Sequence, residues 1–131
     1  MPLIVPTYIR ITDKKGIGLF SKEFIPNKNC IYYTDSFFDK VFDSNEVENF
    51  IPLHKNFIYE YASFNKKEQQ WYLCSDNARY FNHSFTPNTF YDEKTKKVFT
   101  LRDIYPDEEL TSNYEQFCDD FKDNKRFLIY Q

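Results

Sequence analysis

The stretch ARYFNHSFTPN, residues 78–88, combines a short aromatic run with Asn-His-Ser and Thr-Pro-Asn, and it holds one of the two histidines of a 131-residue chain. By itself it is typical of a capped loop, because Asn, Ser and Thr side chains bond nearby backbone groups and Pro restricts the turn. The histidine invites a catalytic interpretation. The sequence spaces no nucleophile and no set of metal ligands around it, so a hydrolase triad is disfavoured.

A second stretch, KKGIGLFSK at residues 14–22, contains both glycines of the chain, Gly16 and Gly18. An average domain of this length has roughly nine glycines, so a pair at one spot is informative. Gly-x-Gly after two lysines is most often a hairpin turn that requires positive φ. The other interpretation is a backbone that a ligand approaches closely, since glycine has no Cβ to block it.

The composition fits one domain spanning residues 1–131. Hydrophobic residues make up 41% of the chain, with 15 Phe, 11 Tyr and 1 Trp, and the mean hydropathy is −0.69. Apolar runs fall short of the roughly 18–20 residues of a membrane-spanning helix. The opening residues MPLIVPTYIR lack the pattern of a secretion signal. We therefore expect an intracellular protein of the cytoplasm or nucleus, including those of a host cell, and no membrane partner.

The net charge and the spacing of the cysteines disfavour some classes of function. A net charge of −3 and a pI of about 5.4 disfavour direct binding to nucleic acid and suit a basic partner such as a Lys/Arg-rich peptide. Cys30, Cys74 and Cys118 are far apart and form no CxxC pair. We therefore predict three reduced thiols, with neither a zinc site nor a disulfide framework.

Short runs rich in β-branched and aromatic residues dominate the chain, separated by turn segments such as IPNKN, TPN and YPDEE. We predict strands at residues 3–11, 18–21, 30–34, 71–74, 88–91, 97–103 and 109–114. A short helix is predicted at residues 43–50 with Ser44 as N-cap, and a helical turn where Phe117 and Phe121 are spaced i, i+4. The predicted fold is mostly β with short helical insertions.

Three segments are more informative together, in this order along the chain, than each is alone. They are GIGLF at residues 16–20, ARYFNHSFTPN at 78–88 and LRDIYPDEELTSNY at 101–114. Together they resemble the SET domain, the family of protein-lysine methyltransferases that use S-adenosylmethionine. The resemblance covers about residues 8–115. Two departures stand out, because Thr34 lies where a Tyr often lines the lysine channel and Asp76 lies where Asn is common.

The resemblance implies a SET-type fold of several small curved antiparallel sheets with short helices and a C-terminal pseudoknot, in which the C-terminal segment threads through a loop formed by the Asn-His-Ser region. It implies a single SET domain with an insert at about residues 35–70 and a lid segment at about residues 115–131. The aromatic residues expected to form that lid are Phe117, Phe121, Phe127 and Tyr130. The family's zinc-binding cysteine clusters are missing from the sequence, so no metal is expected.

The resemblance also implies a site. Tyr114 matches the family's catalytic tyrosine, and Tyr91 is expected to touch the substrate amine and limit the number of methyl groups added. The residues implied to bind the cofactor are Gly16, Ile17, Gly18, Leu19, Arg79, Asn82, His83, Tyr114 and Phe117. The residues implied to form the substrate pocket are Tyr33, Thr34, Tyr91 and Ser112.

The chemistry implied is transfer of a methyl group from S-adenosylmethionine to a lysine of a basic peptide or protein tail such as a histone, with S-adenosylhomocysteine as product. The amine must be neutral, and a free lysine with a pKa of about 10.4 is only roughly 0.4% neutral at pH 8. Burial in an aromatic channel lowers that pKa, so no dedicated general base is expected. The oligomeric state is left open between monomer and homodimer.

Two alternatives remain open. The first is a catalytically inactive SET-like module that binds a peptide or methyl-lysine through its aromatic residues. The second is a scaffold protein that binds partners only. Loss of the glycine pair, of Asn82-His83 or of Tyr114 would favour the first, and the sequence retains all of them.

Overall fold

The two glycines lie at the start of the second strand of a β-hairpin. In the computed structural model, which describes residues 3–122, β1 (Thr7–Ile11) pairs antiparallel with β2 (Ile17–Ser21), from Thr7 opposite Ser21 to Ile11 opposite Ile17. The predicted strand at 3–11 is shortened because Pro6 interrupts it, and Leu3 forms only an isolated bridge. Phe127 and Tyr130 of the expected lid lie outside the described residues.

The other elements are short. The remaining strands of residues 3–122 are β3 (Cys30–Tyr33), β4 (Lys40–Asp43), β5 (Ser63–Asn65), β6 (Gln70–Leu73), β7 (Asn82–His83), β8 (Thr89–Asp92), β9 (Lys97–Thr100) and β10 (Thr111–Ser112). The helices are α1 (Ser44–Glu48) and α2 (Pro52–Tyr61), with 3₁₀ turns at Asn77–Tyr80 and Tyr114–Gln116. The described chain is thus mostly β, as predicted.

Small sheets carry this architecture. Strands β3, β9 and β8 form one antiparallel sheet in that order, and β4, β6 and β5 form another. These sheets are antiparallel as expected, and one further pair differs from them, because β7 and β10 run parallel. A parallel pair needs a long crossover, and residues 84–110, which include β8 and β9, provide it.

The main core joins the hairpin to the segment before β10. Its most buried side chains are Leu19, Ile25, Ile31, Ile104 and Leu110. Isolated bridges pair Ile25 with Ile104 and, just outside this set, Phe20 with Glu109. The region leading into β10 is therefore fixed against β2.

The insert has its own core, formed by Val47, Ile58, Ala62 and Trp71. Helix α2 was not predicted, because it buries little on one face: within Pro52–Tyr61 only Ile58 is fully buried. The predicted N-cap of α1 shifts by one residue, since Asp43 occupies that position and Ser44 begins the helix. The Ser44 backbone N–H bonds the Gln69 carbonyl, which fixes this residue in the helix start.

The end of the described chain folds back onto β7. The predicted helical turn at Phe117 and Phe121 is a series of single turns after the 3₁₀ turn Tyr114–Gln116. The Phe121 ring lies 4.7 Å from the His83 ring, centroid to centroid. This contact is expected of a pseudoknot, and the threading itself stays a prediction.

Asn88 fastens β10 to the start of β8. Its Nδ2 donates to the Glu109 carbonyl at 2.7 Å and its Oδ1 accepts from the Thr111 N–H at 2.9 Å, while the residue is 3% exposed. We expect Asn88→Ala to lower the free energy of unfolding by about 2–4 kcal/mol, because the partly buried Glu109 carbonyl and Thr111 N–H lose their partner. Urea unfolding measures the change.

The matched control is Asn49→Ala, which removes an exposed amide that donates to the Asn45 carbonyl of α1. That variant should stay within about 0.5 kcal/mol of the unsubstituted chain. Equal losses in the two variants would show that Asn88 does not hold β10.

Candidate functional site

A cavity of about 600 Å³ lies between the hairpin, the β3–β9–β8 sheet, the insert and the C-terminal segment. Its size is that of a small-molecule pocket. The predicted site residues that line it are Gly16, Ile17, Thr34, Arg79, Asn82, Tyr91, Ser112, Tyr114 and Phe117. The predicted site residues outside the described lining are Gly18, Leu19, Tyr33 and His83. The structure therefore brings most of the predicted site together around one space.

The two glycines are needed for different reasons. Gly16 has φ of +69° and ends a turn in which its carbonyl accepts from the Thr12 N–H, so its backbone conformation favours glycine. Gly18 is favoured by packing, since a Cβ there would lie 2.7 Å from Glu109 Oε2 and 2.8 Å from Thr12 Cγ2, so these side chains would have to shift. Gly16 lines the cavity, whereas Gly18 supports its wall from behind.

Asn82 links the hairpin to the segment before β10. Its side-chain Nδ2 donates to the Ile17 carbonyl at 3.2 Å and to Glu109 Oε2 at 2.8 Å. The residue is 5% exposed and lines the cavity. Glu109, which the sequence placed in a motif but not in the site, therefore holds the Asn82 amide in position.

His83 is buried beneath the cavity wall at 2% exposure. Its Nδ1 accepts from the Tyr114 backbone N–H at 3.0 Å, and its carbonyl accepts from Lys15 Nζ at 2.9 Å. Burial lowers the pKa of His83, and the nearby Lys15 ammonium lowers it further while Glu115 opposes them. A neutral imidazole therefore positions the backbone at Tyr114.

Tyr114 lies where the 3₁₀ turn after β10 begins. Its hydroxyl donates to the Phe81 carbonyl, and its ring centroid lies 5.8 Å from that of Phe117. Both side chains line the cavity. The hydroxyl and the main-chain carbonyl thus form a polar spot on an otherwise aromatic wall.

Tyr91 forms the neighbouring wall. Burial raises the pKa of Tyr91, and a hydrogen bond with the Thr34 side chain opposes that effect. The Phe117 ring lies 5.6 Å from the Tyr91 ring, and Ser112 Oγ lies 3.1 Å from Thr89 Oγ1. Thr34 is therefore a polar contact for Tyr91.

Tyr32 is the strand neighbour of Tyr33 and lines the cavity in its place. Successive side chains of a strand alternate between faces, so Tyr33 belongs to the opposite face from Tyr32 and Thr34. The Tyr32 hydroxyl donates to Asp39 Oδ2 at 3.1 Å and lies 3.3 Å from Cys74 Sγ. Sequence reasoning missed this cluster, because its members are scattered along the chain and match no motif.

The cavity also has charged side chains around it. Besides Asp39, the acidic residues of its described lining are Glu60, Glu68, Glu93 and Asp119, and the basic ones are Lys15, Arg79 and Lys96. Acidic groups outnumber basic ones, which favours a cationic ligand over an anionic one.

Residues 3–122 contain no group of His, Cys, Asp or Glu side chains arranged to hold a metal ion. Within the same residues, neither helix has the length and apolar character needed to cross a membrane. The three cysteines are free thiols, with Cys118 buried and Cys30 and Cys74 partly buried.

Comparison with known proteins agrees with these features. A family model described as "SET domain" matches residues 16–115. Over 121 residues the chain is 25% identical to the Schizosaccharomyces pombe protein named "Histone-lysine N-methyltransferase, H3 lysine-37 specific", covering 83% of this chain and 73% of that protein. A crystal structure of a Plasmodium falciparum protein, whose name proposes a histone methyltransferase, matches the fold with a TM-score of 0.56 and 22% identity, covering 84% of this chain and 93% of that one.

The buried His83 predicts a pH-dependent stability. Its folded-state pKa lies below the ordinary value of about 6.5, so the neutral ring contributes stability above pH 6.5 that is lost as the pH falls from there toward the folded-state pKa. We expect the free energy of unfolding to fall by up to about 1.4 kcal/mol per pH unit in that window. Denaturant unfolding at closely spaced pH values measures it.

His83→Gln should flatten this slope, because Gln can accept from the Tyr114 N–H but does not titrate. The matched control is His54→Gln, at the exposed histidine of α2, which should leave the slope unchanged. A slope that survives His83→Gln would assign the effect to another group.

Proposed function

The chain belongs to the SET domain family, and on that premise we propose that it is an S-adenosylmethionine-dependent protein-lysine N-methyltransferase. The substrate proposed is a lysine in a basic peptide or protein tail such as a histone. The protein would then act inside cells, in the cytoplasm or nucleus. The S. pombe relative is named for lysine 37 of histone H3, which supports the reaction class and leaves this chain's own target to experiment.

The single observation that carries the proposal is the convergence of three distant segments on one cavity. Gly16 and Ile17, Asn82, and Tyr114 all line it, although they come from the hairpin, from β7 and from the turn after β10. A merely structural motif would not need to expose these residues to the same space. A reaction between two bound molecules does, because both must be held in one geometry.

The residues present fit S-adenosylmethionine. The Gly16–Ile17 backbone and the Asn82 amide offer polar contacts, the Lys15 ammonium can meet a carboxylate, and the Phe117 ring can cover an adenine. When bound, this molecule supplies a methyl group activated on a sulfonium. The protein's part is to hold both molecules and to exclude water.

The adjoining wall, formed by Tyr91, suits a lysine side chain. Tyr91, Tyr114 and Phe117 offer an apolar channel for its methylene groups. The Tyr91 hydroxyl can orient the amine, and the acidic side chains of the lining attract the positive residues around it. These features support a lysine in a basic segment as the substrate.

The test is a methylation assay with S-adenosylmethionine on a panel of histones and a cell lysate, read by mass spectrometry. We expect methyl-lysine from the unsubstituted chain and a loss of more than about tenfold with Tyr114→Phe, since the hydroxyl helps to position the reacting groups. The matched control is Tyr105→Phe, at a tyrosine that is 59% exposed, which should keep full activity.

Two results would contradict the proposal. Binding of S-adenosylmethionine by calorimetry without any methyl transfer across the panel would favour an inactive SET-like binding module. Failure to bind it at all would favour a scaffold role.

The degree of methylation should depend on Tyr91. Ser112 is small and leaves Tyr91 to fill the space near the lysine nitrogen, so we expect mainly monomethyl-lysine. Tyr91→Phe should shift product partitioning toward di- and trimethyl-lysine by roughly two- to tenfold, because one hydroxyl contact is worth about 0.5–1.5 kcal/mol. Mass spectra of a lysine peptide give the product ratios.

Tyr59→Phe is the matched control, since the Tyr59 hydroxyl bonds Glu48 in the insert. It should leave the product ratios unchanged. Abundant trimethyl-lysine from the unsubstituted chain would refute the role of Tyr91.

A further inference from the structure

A buried carboxylate lies in the wall of the cavity and has no role in the function proposed so far. Asp39 is 6% exposed and belongs to the cavity lining. Its Oδ2 accepts from the Tyr32 hydroxyl at 3.1 Å and from the Asp35 backbone N–H at 3.1 Å. Its Oδ1 is also buried and, within residues 3–122, meets no hydrogen-bond donor. Burial has removed water from this carboxylate, and its hydrogen bonds replace that water only in part. The charged form is therefore disfavoured, and the carboxylate is more basic.

Tyr32 connects this carboxylate to the proposed lysine channel. Across the sheet, Tyr32 of β3 is opposite Val98 of β9, and Val98 is opposite Tyr91 of β8. The three residues therefore form one row, and all three line the cavity. Neighbouring strands are about 4.8 Å apart, so Tyr32 and Tyr91 begin roughly 10 Å from each other, with the cavity above them.

Cys74 is the other titratable group at the Tyr32 hydroxyl, at 3.3 Å. Burial raises the pKa of Cys74 to about 12, with Arg79 among the smaller opposing effects. Burial likewise raises the pKa of Tyr32. Both groups are neutral at physiological pH, so neither is the base of the cluster.

Two further carboxylates, Asp76 and Asp35, act on Asp39 through their charge. Burial raises the pKa of Asp39, against the hydrogen bonds from Asp35 and Tyr32, and the negative charges of Asp76 and Asp35 raise it further. Asp76 is itself held by the Ala78 and Leu3 backbone N–H groups. Asp39 is thus a buried carboxylate that accepts a hydrogen bond from a tyrosine of the cavity lining.

We propose, resting on the proposed function, that Asp39 takes up the proton of the substrate lysine through Tyr32. One N–H bond of the ammonium breaks as its proton joins the Tyr32 oxygen. The proton that Tyr32 already carried moves along the existing hydrogen bond to Asp39 Oδ2. The electron pair of the broken N–H bond stays on nitrogen and is the pair that forms the new N–C bond.

This step is balanced without an oxidant or a reductant. It converts an ammonium and a carboxylate into a neutral amine and a neutral carboxylic acid, and it leaves Tyr32 unchanged. The sequence led us to expect no dedicated base, because burial alone can favour the neutral amine. The structure adds a specific acceptor for the proton that burial would otherwise release to solvent.

The first test is the pH dependence of single-turnover methyl transfer to a lysine peptide, comparing the unsubstituted chain with Asp39→Asn. Asn keeps an oxygen that can accept from Tyr32 but cannot take up the proton. We expect Asp39→Asn to lose at least about tenfold at pH 7 and to recover to within about threefold near pH 10, where free lysine approaches its own pKa of about 10.4. Tyr32→Phe should show the same alkaline recovery.

The matched control is Asp35→Asn. Asp35 lies in the same turn, and its side chain accepts from the Phe37 N–H while its backbone N–H donates to Asp39 Oδ2. This variant should lose no more than about threefold at pH 7, since it removes only one of the smaller effects on the pKa of Asp39 and leaves the proton acceptor in place. Thermal unfolding confirms that each variant is folded, and Tyr32→Phe decides the matter if Asp39→Asn does not fold.

A second readout needs no activity. Carbon-13 NMR of the Asp39 carboxyl, assigned by its loss in Asp39→Asn, should titrate above the ordinary value of about 3.9 and should shift when a lysine peptide binds. An Asp39 signal that does not respond to the peptide would overturn the proposal.

The outcomes of the kinetic test distinguish a failure of the proposed role of Asp39 from a failure of the proposed methyltransferase activity. An equal loss at every pH in Asp39→Asn would make Asp39 structural, and no loss would make it irrelevant, so either result overturns this proposal and leaves the methyltransferase intact. An unsubstituted chain that transfers no methyl group to any protein refutes the proposed function and this inference with it.

Discussion

The parallel pairing of β7 with β10 brings together the site residues that come from the two ends of a long crossover. It sets Asn82 beside Thr111 and His83 beside Ser112, and the chain then turns at Tyr114 with its N–H on the His83 ring. A pair of two-residue strands has too few hydrogen bonds to be stable alone. It is held by side chains from outside the pair: Asn88 on the backbone before β10 and Thr89 on the Thr111 carbonyl. Asn88 and Thr89 lie next to or within a motif that suggests a catalytic or binding role, but here their side chains support the backbone.

The sequence predicted the parts of the molecule that depend on local pattern. Seven of the ten described strands were predicted to within a few residues, since alternation and turn residues are local signals. The strands β4, β5 and β7 were not predicted. Helix α2 was missed because its stability comes from packing on Trp71 and the rest of the insert core, which no local period records. The parallel pairing of β7 with β10 could not be predicted either, because the two strands are separated by the long crossover of residues 84–110 and no local pattern records their contact.

The candidate site shows the same division. The motif residues Gly16, Asn82 and Tyr114 were predicted from sequence and do line one cavity. We explained the glycine pair by a turn with positive φ or by the close approach of a ligand. This explanation is incomplete for Gly18, because the missing Cβ makes room for Glu109 of the protein itself. Tyr32, Asp39 and Cys74 form a cluster that exists only after β3, the turn beyond it and the end of β6 are brought together. Such a cluster cannot be predicted from the sequence, because its residues follow no known motif or spacing.

Charge is organised in layers around the cavity. The rim includes acidic side chains, whereas the groups below the surface, His83, Cys74 and Tyr32, have pKa values displaced by burial toward their neutral forms. A cation is therefore attracted at the mouth and meets a wall that solvates charge poorly. An amine that loses its proton there is better accommodated than one that keeps it, and this is the state that a nucleophile requires.

The crossover between β7 and β10 also has a consequence for how the molecule assembles. Contacts between residues far apart in sequence form late, because a long loop must close before they yield any stabilisation. The hairpins of β1 with β2, of β5 with β6 and of β8 with β9 are made of near neighbours in the chain and can form first. The segments that meet at β7 and β10 cannot do so until residues 84–110 have folded between them. We therefore expect a folding intermediate of this chain to contain much of its secondary structure and none of its cavity, so that the ability to bind a ligand appears only in the last step.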